Sequence, residues 1–294
     1  MTDTAFAHLP STIRVGDFEV CRMGFGAMRL PGPMVWGEPA DPARARQVVR
    51  RAVELGVQFI DTSWYYGPLV ANQIIAEVLH PYRKDLVIAT KLGGKRNPDK
   101  SWQPYNRPEE IREGCEIDLR TLKREQLDVV HLRYIESGVP FIDMLGAFLD
   151  LQREGKIRHI GLSNVTAGQI EQALQAGAAI VSVQNMFTVP EAENPMGRMA
   201  HVPSNDGVFA LCEKHQIAFT PYFPLAVGGV DRHPKLGAIA RRLGKTPAQI
   251  TLAWMLAKSK VLLPIPGTGS PEHLEENWAA RTIRLSDEDT AAIG

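Results

Sequence analysis

The sequence predicts a closed (β/α)8 barrel, and three observations predict it. Eight short apolar runs of strand length recur along the chain. Amphipathic segments at helical spacing separate them. No Gly-x-Gly-x-x-Gly follows the first run to open a dinucleotide-binding sheet of the Rossmann kind. A regular strand–helix beat sustained over 294 residues suits one closed barrel better than an open sheet. Residues 1–294 are therefore read as one domain.

Ahead of the barrel, Ile13-Arg14-Val15 and Phe18-Glu19-Val20 alternate in character around Gly16-Asp17, the pattern of a hairpin with a two-residue turn. Its predicted place is the bottom of the barrel. The strand candidates are residues 23–27, 57–61, 86–90, 127–132, 158–162, 180–184, 218–222 and 261–265. Helical spacing is clearest over 43–55, 108–122, 141–153, 167–176, 207–215 and 246–257. Asp41-Pro42, Arg107-Pro108 and Thr246-Pro247 put Pro at a first helical position, and Gly56, Gly155 and Gly177 are stops. Three connections break the beat, at 93–106, 189–202 and 226–233. They are predicted as long loops at one face, where substrate selection resides.

Composition removes several classes of function. The 33 basic and 33 acidic residues cancel, so no broad field favours nucleic acid or an anionic membrane. No apolar run reaches the roughly 20 residues of a membrane span, and residues 1–10 lack the segments of a signal peptide. Cys21, Cys115 and Cys212 are scattered without metal-ligand spacing, so neither a disulfide framework nor a metal site is expected. The expectation is a soluble cytoplasmic protein acting on a small molecule, as a monomer or weak homo-oligomer.

In a barrel of this kind the chemistry sits at the C-terminal ends of the strands. The polar residues there are Asp61, Lys91, His131 with Arg133, Ser163-Asn164, Gln184 and Tyr222. The run 57–60 stops at a carboxylate, and the loop behind it carries Tyr66; Lys91 closes the next run. If both strands point into one cleft, the Lys91 ammonium stabilises a developing tyrosinate and Asp61 keeps Lys91 protonated. The expected chemistry is proton transfer by a phenol whose pKa is pulled down. Taken singly, each of these residues reads as a packed Tyr or a solvated Lys; the set at successive strand ends argues otherwise.

Several motifs in order carry a resemblance. They are Gly24-Phe-Gly-Ala-Met28, Phe59-Ile-Asp-Thr-Ser-Trp-Tyr-Tyr-Gly67, Ala89-Thr-Lys91, Gly155-Lys-Ile-Arg-His-Ile-Gly-Leu-Ser-Asn164, Val183-Gln-Asn185, and the run from Pro264 to Asn277. Together they span nearly the whole chain, and the chain resembles the aldo-keto reductase superfamily. Within it, Asn72-Gln-Ile-Ile-Ala-Glu, Ser101-Trp102 and Asp128-Val-Val-His-Leu-Arg133 look most like the bacterial pyridoxal reductase type. The resemblance implies NADPH-dependent reduction of an aldehyde or ketone to an alcohol, with pyridoxal to pyridoxine as one case. It makes Tyr66 the general acid, tuned by Lys91 and Asp61. It implies that Ser163, Asn164 and Gln184 hold the nicotinamide carboxamide, with Tyr222 stacked on the ring. Gly26, Ala27, Met28, Asp61, Phe223 and Leu225 join the cofactor set, as do Gly267, Thr268, Ser270, His273, Glu276 and Asn277.

The last of these stretches has physics of its own. Gly267-Thr268-Gly269-Ser270 allows backbone to approach a phosphate, and Ser270-Pro271-Glu272 opens a short extra helix after the eighth strand. An ordinary capped helix explains the same residues. Likewise Ser163-Asn164 reads equally as a plain helix N-cap.

Two departures from the family stand out. The position five residues after Asp128, usually His, is Arg133, while His131 lies two residues earlier on the same strand face. Arg133 replaces the His as donor to the carbonyl, or His131 acts through a shifted register, or His131 is a barrel-core histidine. Second, the positions that usually bring a cation to the cofactor's 2′-phosphate are His273 and Gly267, which leaves NADH open beside NADPH. Trp36, Trp64, Tyr65, Trp102 and Phe187 are candidates for an aromatic substrate pocket, and the chain's end at Gly294 suggests an open cleft. Two other readings remain: a barrel aldolase with Lys91 as Schiff-base nucleophile, and a cofactor-binding accessory or sensor protein with little turnover.

Overall fold

A computed structural model describes residues 11–190, 192 and 202–294. The N-terminal ten residues and most of the 189–202 connection lie outside the described residues. The hairpin forms where the alternation puts it: β1 (Thr12–Val15) pairs antiparallel with β2 (Phe18–Cys21), Val15 opposite Phe18. Gly16 turns the corner at φ 64, and a side chain there would run into the His159 ring.

Seven barrel strands follow in parallel: β3 (Phe25–Gly26), β4 (Phe59–Asp61), β5 (Val87–Arg96), β7 (Leu127–Arg133), β8 (Ile157–Ser163), β9 (Ile180–Gln184) and β10 (Ala218–Phe219). The eighth stave, predicted at 261–265, is not a regular strand. Pro264 and Pro266 have no N–H to give to a ladder, so the segment is held by isolated bonds on both sides. Phe219 N donates to Val261 O (2.7 Å) and Leu263 N to Phe219 O (2.9 Å); on the other edge Gly24 N reaches Pro264 O (2.9 Å). These bonds close the barrel. The stretch 93–106, expected as a long loop, is instead a second hairpin: β5 runs past the barrel wall and pairs antiparallel with β6 (Trp102–Tyr105).

Helices alternate with the strands: α1 (Pro42–Leu55), α2 (Val70–Leu79), α3 (Pro108–Thr121), α4 (Phe141–Arg153), α5 (Ala167–Gln175), α6 (Val208–His215), α7 (Pro234–Leu243), α8 (Pro247–Lys258), α9 (Pro271–Ala279) and α10 (Asp287–Ile293). Their ends follow the local chemistry. Asp41 caps α1 through Arg44 N and Gly56 ends it at φ 99, while Thr246 and Gln249 cap α8 reciprocally. The N-cap of α5 is Thr166, not Ser163 or Asn164, which frees those two from the plain capping reading. α9 is the expected extra helix after the eighth stave.

Period-two alternation splits each strand's side chains between two cores. Leu92, Leu132, Leu162 and Val183 face the helices, in the large outer layer. Val15 and Val20 of the hairpin pack with Phe59, Val87, Val129 and Leu263 inside the barrel, so the hairpin plugs the bottom. Among the described residues no helix is long and apolar enough to cross a membrane.

Candidate active site

Strand register sets the site. Asp61 stands opposite Ala89; Lys91, His131, Gly161 and Ser182 form the next interior rung; Arg133, Ser163 and Gln184 form the one above. The interior therefore passes from apolar below to charged above within two rungs. Lys91 Nζ donates to both oxygens of Asp61, each at 2.7 Å, and to the Thr62 carbonyl at 2.9 Å. Gln184 Nε2 donates to Asp61 Oδ1 at 2.8 Å. Both charged side chains are about 95% buried or more, so their Coulomb attraction is little screened. Burial works most strongly against the Lys91 charge, but the Asp61 carboxylate, together with the neighbouring Tyr66 and Tyr65 phenols, outweighs it and holds the ammonium above its ordinary pKa. A lysine kept charged and bonded in this way is a poor Schiff-base nucleophile, which sets aside the aldolase reading.

The Tyr66 ring packs against the Lys91 side of this pair, with the ammonium 5.1 Å from its centroid. Burial pushes the Tyr66 phenol up to about 12, with Lys91 the strongest influence in the opposite direction. The expected depressed phenol is thus not what the structure holds. Desolvation outweighs the cation, and Tyr66 is a neutral, fully protonated donor at neutral pH.

The two candidates on β7 part company. His131 is fully buried, with Nδ1 3.3 Å from Thr90 O and Nε2 2.8 Å from Ser182 Oγ. A carbonyl only accepts, so Nδ1 carries the proton and Nε2 accepts from the serine. Burial and the Lys91 charge push His131 down to about 4. Gly161 leaves room for the ring, since a Cβ there would lie 2.5 Å from it. His131 is therefore a neutral, satisfied group inside the barrel. Arg133, one rung higher, reaches the rim: Nη1 is 3.5 Å from Tyr65 Oη, and its guanidinium lies 5.1 Å from the Trp102 ring centroid.

Among the aromatics, Tyr65 meets both Tyr66 and Trp102 edge-on, with centroids 5.4 and 5.6 Å apart. Arg96 lies 4.3 Å from Trp102 and 5.7 Å from Trp36, and bonds the carbonyls of Met34 and Lys100. It thereby gathers the β5–β6 hairpin and the 33–36 turn on one side of the rim. Trp64 and Phe187 are not brought there. Trp64 packs outward on Tyr105 and Gly114 of α3, and Phe187 stacks on Trp254 beside Phe209. Both are outer-core residues, large apolar rings that the loop ends tuck under the helices.

The residues expected to hold the cofactor fall in two groups. Asn164, at φ 61, donates to Tyr134 O and accepts from Tyr222 Oη at 3.1 Å; Ser163 stands beside Gln184. These lie on the barrel mouth above Lys91, followed by Phe223 and Leu225 in the turn after β10. On the other side Gly26 bridges Gly267, and a Cβ on Gly267 would come 2.7 Å from Gly26 O. Ala27 and Met28 begin the short turn after β3. Thr268 Oγ1 accepts from Ser270 N, and Ser270 caps α9 through His273 N. Asn277 is buried in α9, while Glu276 and His273 are exposed.

The sequence reading missed the cations at this loop. Arg44, in the first turn of α1, donates to Ser270 Oγ (3.3 Å) and Glu272 (2.6 Å), and the Arg29 side chain approaches Gly267. Nothing in local spacing pairs α1 with α9; only barrel closure does. Glycine backbone, a capped helix N-terminus and the Arg44 guanidinium fit a phosphate-bearing cofactor. The exposed Glu272 side chain meanwhile occupies Arg44.

With this geometry in view, comparison with known proteins gives a consistent result. The model of the Aldo/keto reductase family matches residues 22–294. The chain belongs to the aldo/keto reductase family. It is 42% identical to pyridoxine 4-dehydrogenase of Escherichia coli over 95% of each chain. To an uncharacterized oxidoreductase of Schizosaccharomyces pombe it is 40% identical, over 96% of this chain and 88% of that one. An aldo-keto reductase of Klebsiella pneumoniae, solved in complex with NADPH, superposes with TM-score 0.77 at 25% identity, covering 97% of this chain and 94% of that one. This aldo/keto reductase is an oxidoreductase, and the rim cluster is its candidate active site.

Proposed function

We propose that the protein reduces aldehydes to alcohols with NADPH, pyridoxal foremost among them, and that Tyr66 donates the proton. The observation that carries this reading is the buried Asp61–Lys91 pair set beneath a protonated Tyr66. NADPH is favoured over NADH by Arg44 at the Gly267–Ser270 loop, and by the NADPH-bound relative. Pyridoxal is favoured by the name of the E. coli relative, a pyridoxine 4-dehydrogenase, and by the half-buried rings of Trp102 and Trp36 gathered at the rim by Arg96.

When bound, the cofactor supplies a hydride to the carbonyl carbon. The chain's own residues do the rest. The Tyr66 hydroxyl gives its proton to the carbonyl oxygen as negative charge develops there. The Lys91 ammonium beneath it stabilises the tyrosinate left behind, and Asp61 with Gln184 keeps that ammonium fixed and charged. Arg133, beside Tyr65 and Trp102 at the rim, would stabilise a developing oxyanion as a permanent guanidinium without moving a proton. Ser163 and Asn164 would hold the nicotinamide carboxamide, and Tyr222 would cover its ring.

The test is a fluorescence titration with NADPH and NADH, followed by a panel of aromatic and aliphatic carbonyls monitored at the nicotinamide absorbance. The expected result is tighter binding of NADPH and the highest kcat/KM with pyridoxal. Cofactor binding with no turnover on any carbonyl would instead favour the accessory or sensor reading.

A further inference from the structure

Behind the barrel wall lies a buried carboxylate that the chemistry above does not use. Asp118 of α3 is fully buried. It accepts from Thr90 Oγ1 at 2.8 Å, from Asn72 Nδ2 at 2.6 Å and from the Trp64 backbone N–H. Asn72, itself fully buried on α2, in turn accepts from Thr62 Oγ1 at 2.9 Å. Each contact ends next to a residue of the active site. Thr90 precedes Lys91, and alternation along β5 turns Thr90 out toward α3 while Lys91 points in. Thr62 follows Asp61, and its carbonyl is one of the three acceptors of Lys91 Nζ. Trp64 lies two residues before Tyr66 in the same short loop.

Such a group is expensive to bury. Burial pushes the Asp118 carboxyl up to about 7, and among the described residues no cation bonds it; the Lys91 charge acts on it from the other face of β5. An apolar residue would pack this helix face at lower cost. What the carboxylate adds is three acceptor directions aimed at three separate segments. We infer that Asp118 is a positioning residue, fixing Asp61, Lys91 and Tyr66 relative to one another through Thr62, Thr90 and Trp64. The inference rests on the proposed role of those three residues.

The test compares the full-length wild type with Asp118→Asn, measuring kcat and KM for pyridoxal, NADPH binding by fluorescence, and thermal midpoint. Asparagine removes the buried charge but turns an NH2 donor against donors. The expected result is a kcat lower by about 10- to 100-fold, the scale of a small misplacement of reacting groups. KM and NADPH affinity stay within about two-fold, and the thermal midpoint is held or raised. The reciprocal double variant, Asn72→Asp with Asp118→Asn, restores the donor–acceptor match between the two side chains and is expected to recover most of kcat. A lower midpoint with unchanged kcat per folded molecule, or no rescue by the swap, would overturn the inference and leave Asp118 a packing residue. If Asp118→Asn does not fold, Thr90→Val cuts one tie alone; an unchanged kcat there overturns the inference equally. A Tyr66→Phe control separates the two levels. Activity surviving in that control defeats the proposed function, whereas its loss beside a normal Asp118→Asn defeats only the positioning role.

Discussion

Phe59 and Asp61 lie two residues apart on β4, both point into the barrel, and they serve opposite ends of it. Phe59 packs against the hairpin valines in an apolar plug; Asp61 is a buried charge bonded to Lys91 and Gln184. The lower end is built from dispersion and area removed from water, which is forgiving of small changes. The upper end is built from hydrogen-bonded charges so buried that a lost partner leaves the other unsatisfied. One strand therefore ties a tolerant floor to an exacting rim, and substitutions at the two ends should fail in different ways.

The largest effect is expected at the rim. Lys91→Met leaves the Asp61 carboxylate buried with Gln184 as its remaining side-chain donor. We expect a loss of about 3–5 kcal/mol in urea unfolding, as for other broken buried pairs, together with a fall in kcat of at least about 100-fold. Normal stability in this variant would mean that the pair is more open to water than its burial implies. At the floor, Val20→Ala removes apolar area alone. It should cost about 2 kcal/mol while kcat per folded molecule stays at the wild-type value; a kcat change would show that the floor communicates with the rim.

The smallest effect belongs to the outer edge of the floor. Hydrogen bonds from His159 and then Arg158 hold the Asp17 carboxyl down at about 2. A lowered carboxyl contributes stability that is fully present above its unfolded value of about 4 and lost as pH falls through about 2. Asp17 is exposed, so the amount is below about 1 kcal/mol and shrinks in salt. Asp17→Asn should lower the urea midpoint slightly at pH 7 and by only a small fraction of that near pH 2; equal effects at both pH values would contradict the assignment.

How far the sequence revealed this depends on the kind of residue. The hairpin was legible because alternation and a Gly-Asp turn are local signals, and it forms at the expected residues. The eighth stave was legible as an apolar run but not as an irregular one, although Pro264 and Pro266 announce the missing donors. Asp61, Lys91 and Tyr66 were legible because each ends a strand or begins the loop behind it. Their electrostatics were not: the phenol sits above its ordinary pKa because burial, which no spacing shows, outweighs the neighbouring cation. Arg44 was hidden because α1 and α9 lie far apart in sequence and meet only through barrel closure. Asp118 did leave a trace, since it shares the buried stripe of α3 with Ile111 and Cys115. A charge on an apolar stripe is a sign worth following.

The central claim is that Tyr66 delivers the proton from a site whose cofactor grip lies elsewhere on the rim. Single-turnover reduction of pyridoxal by NADPH-loaded Tyr66→Phe, beside a fluorescence titration of the same sample, tests it most directly. NADPH is expected to bind within about two-fold of wild type and the turnover rate to drop by about 100- to 10,000-fold, the range of a lost general acid. A variant that binds NADPH normally and reduces pyridoxal at the wild-type rate would contradict it.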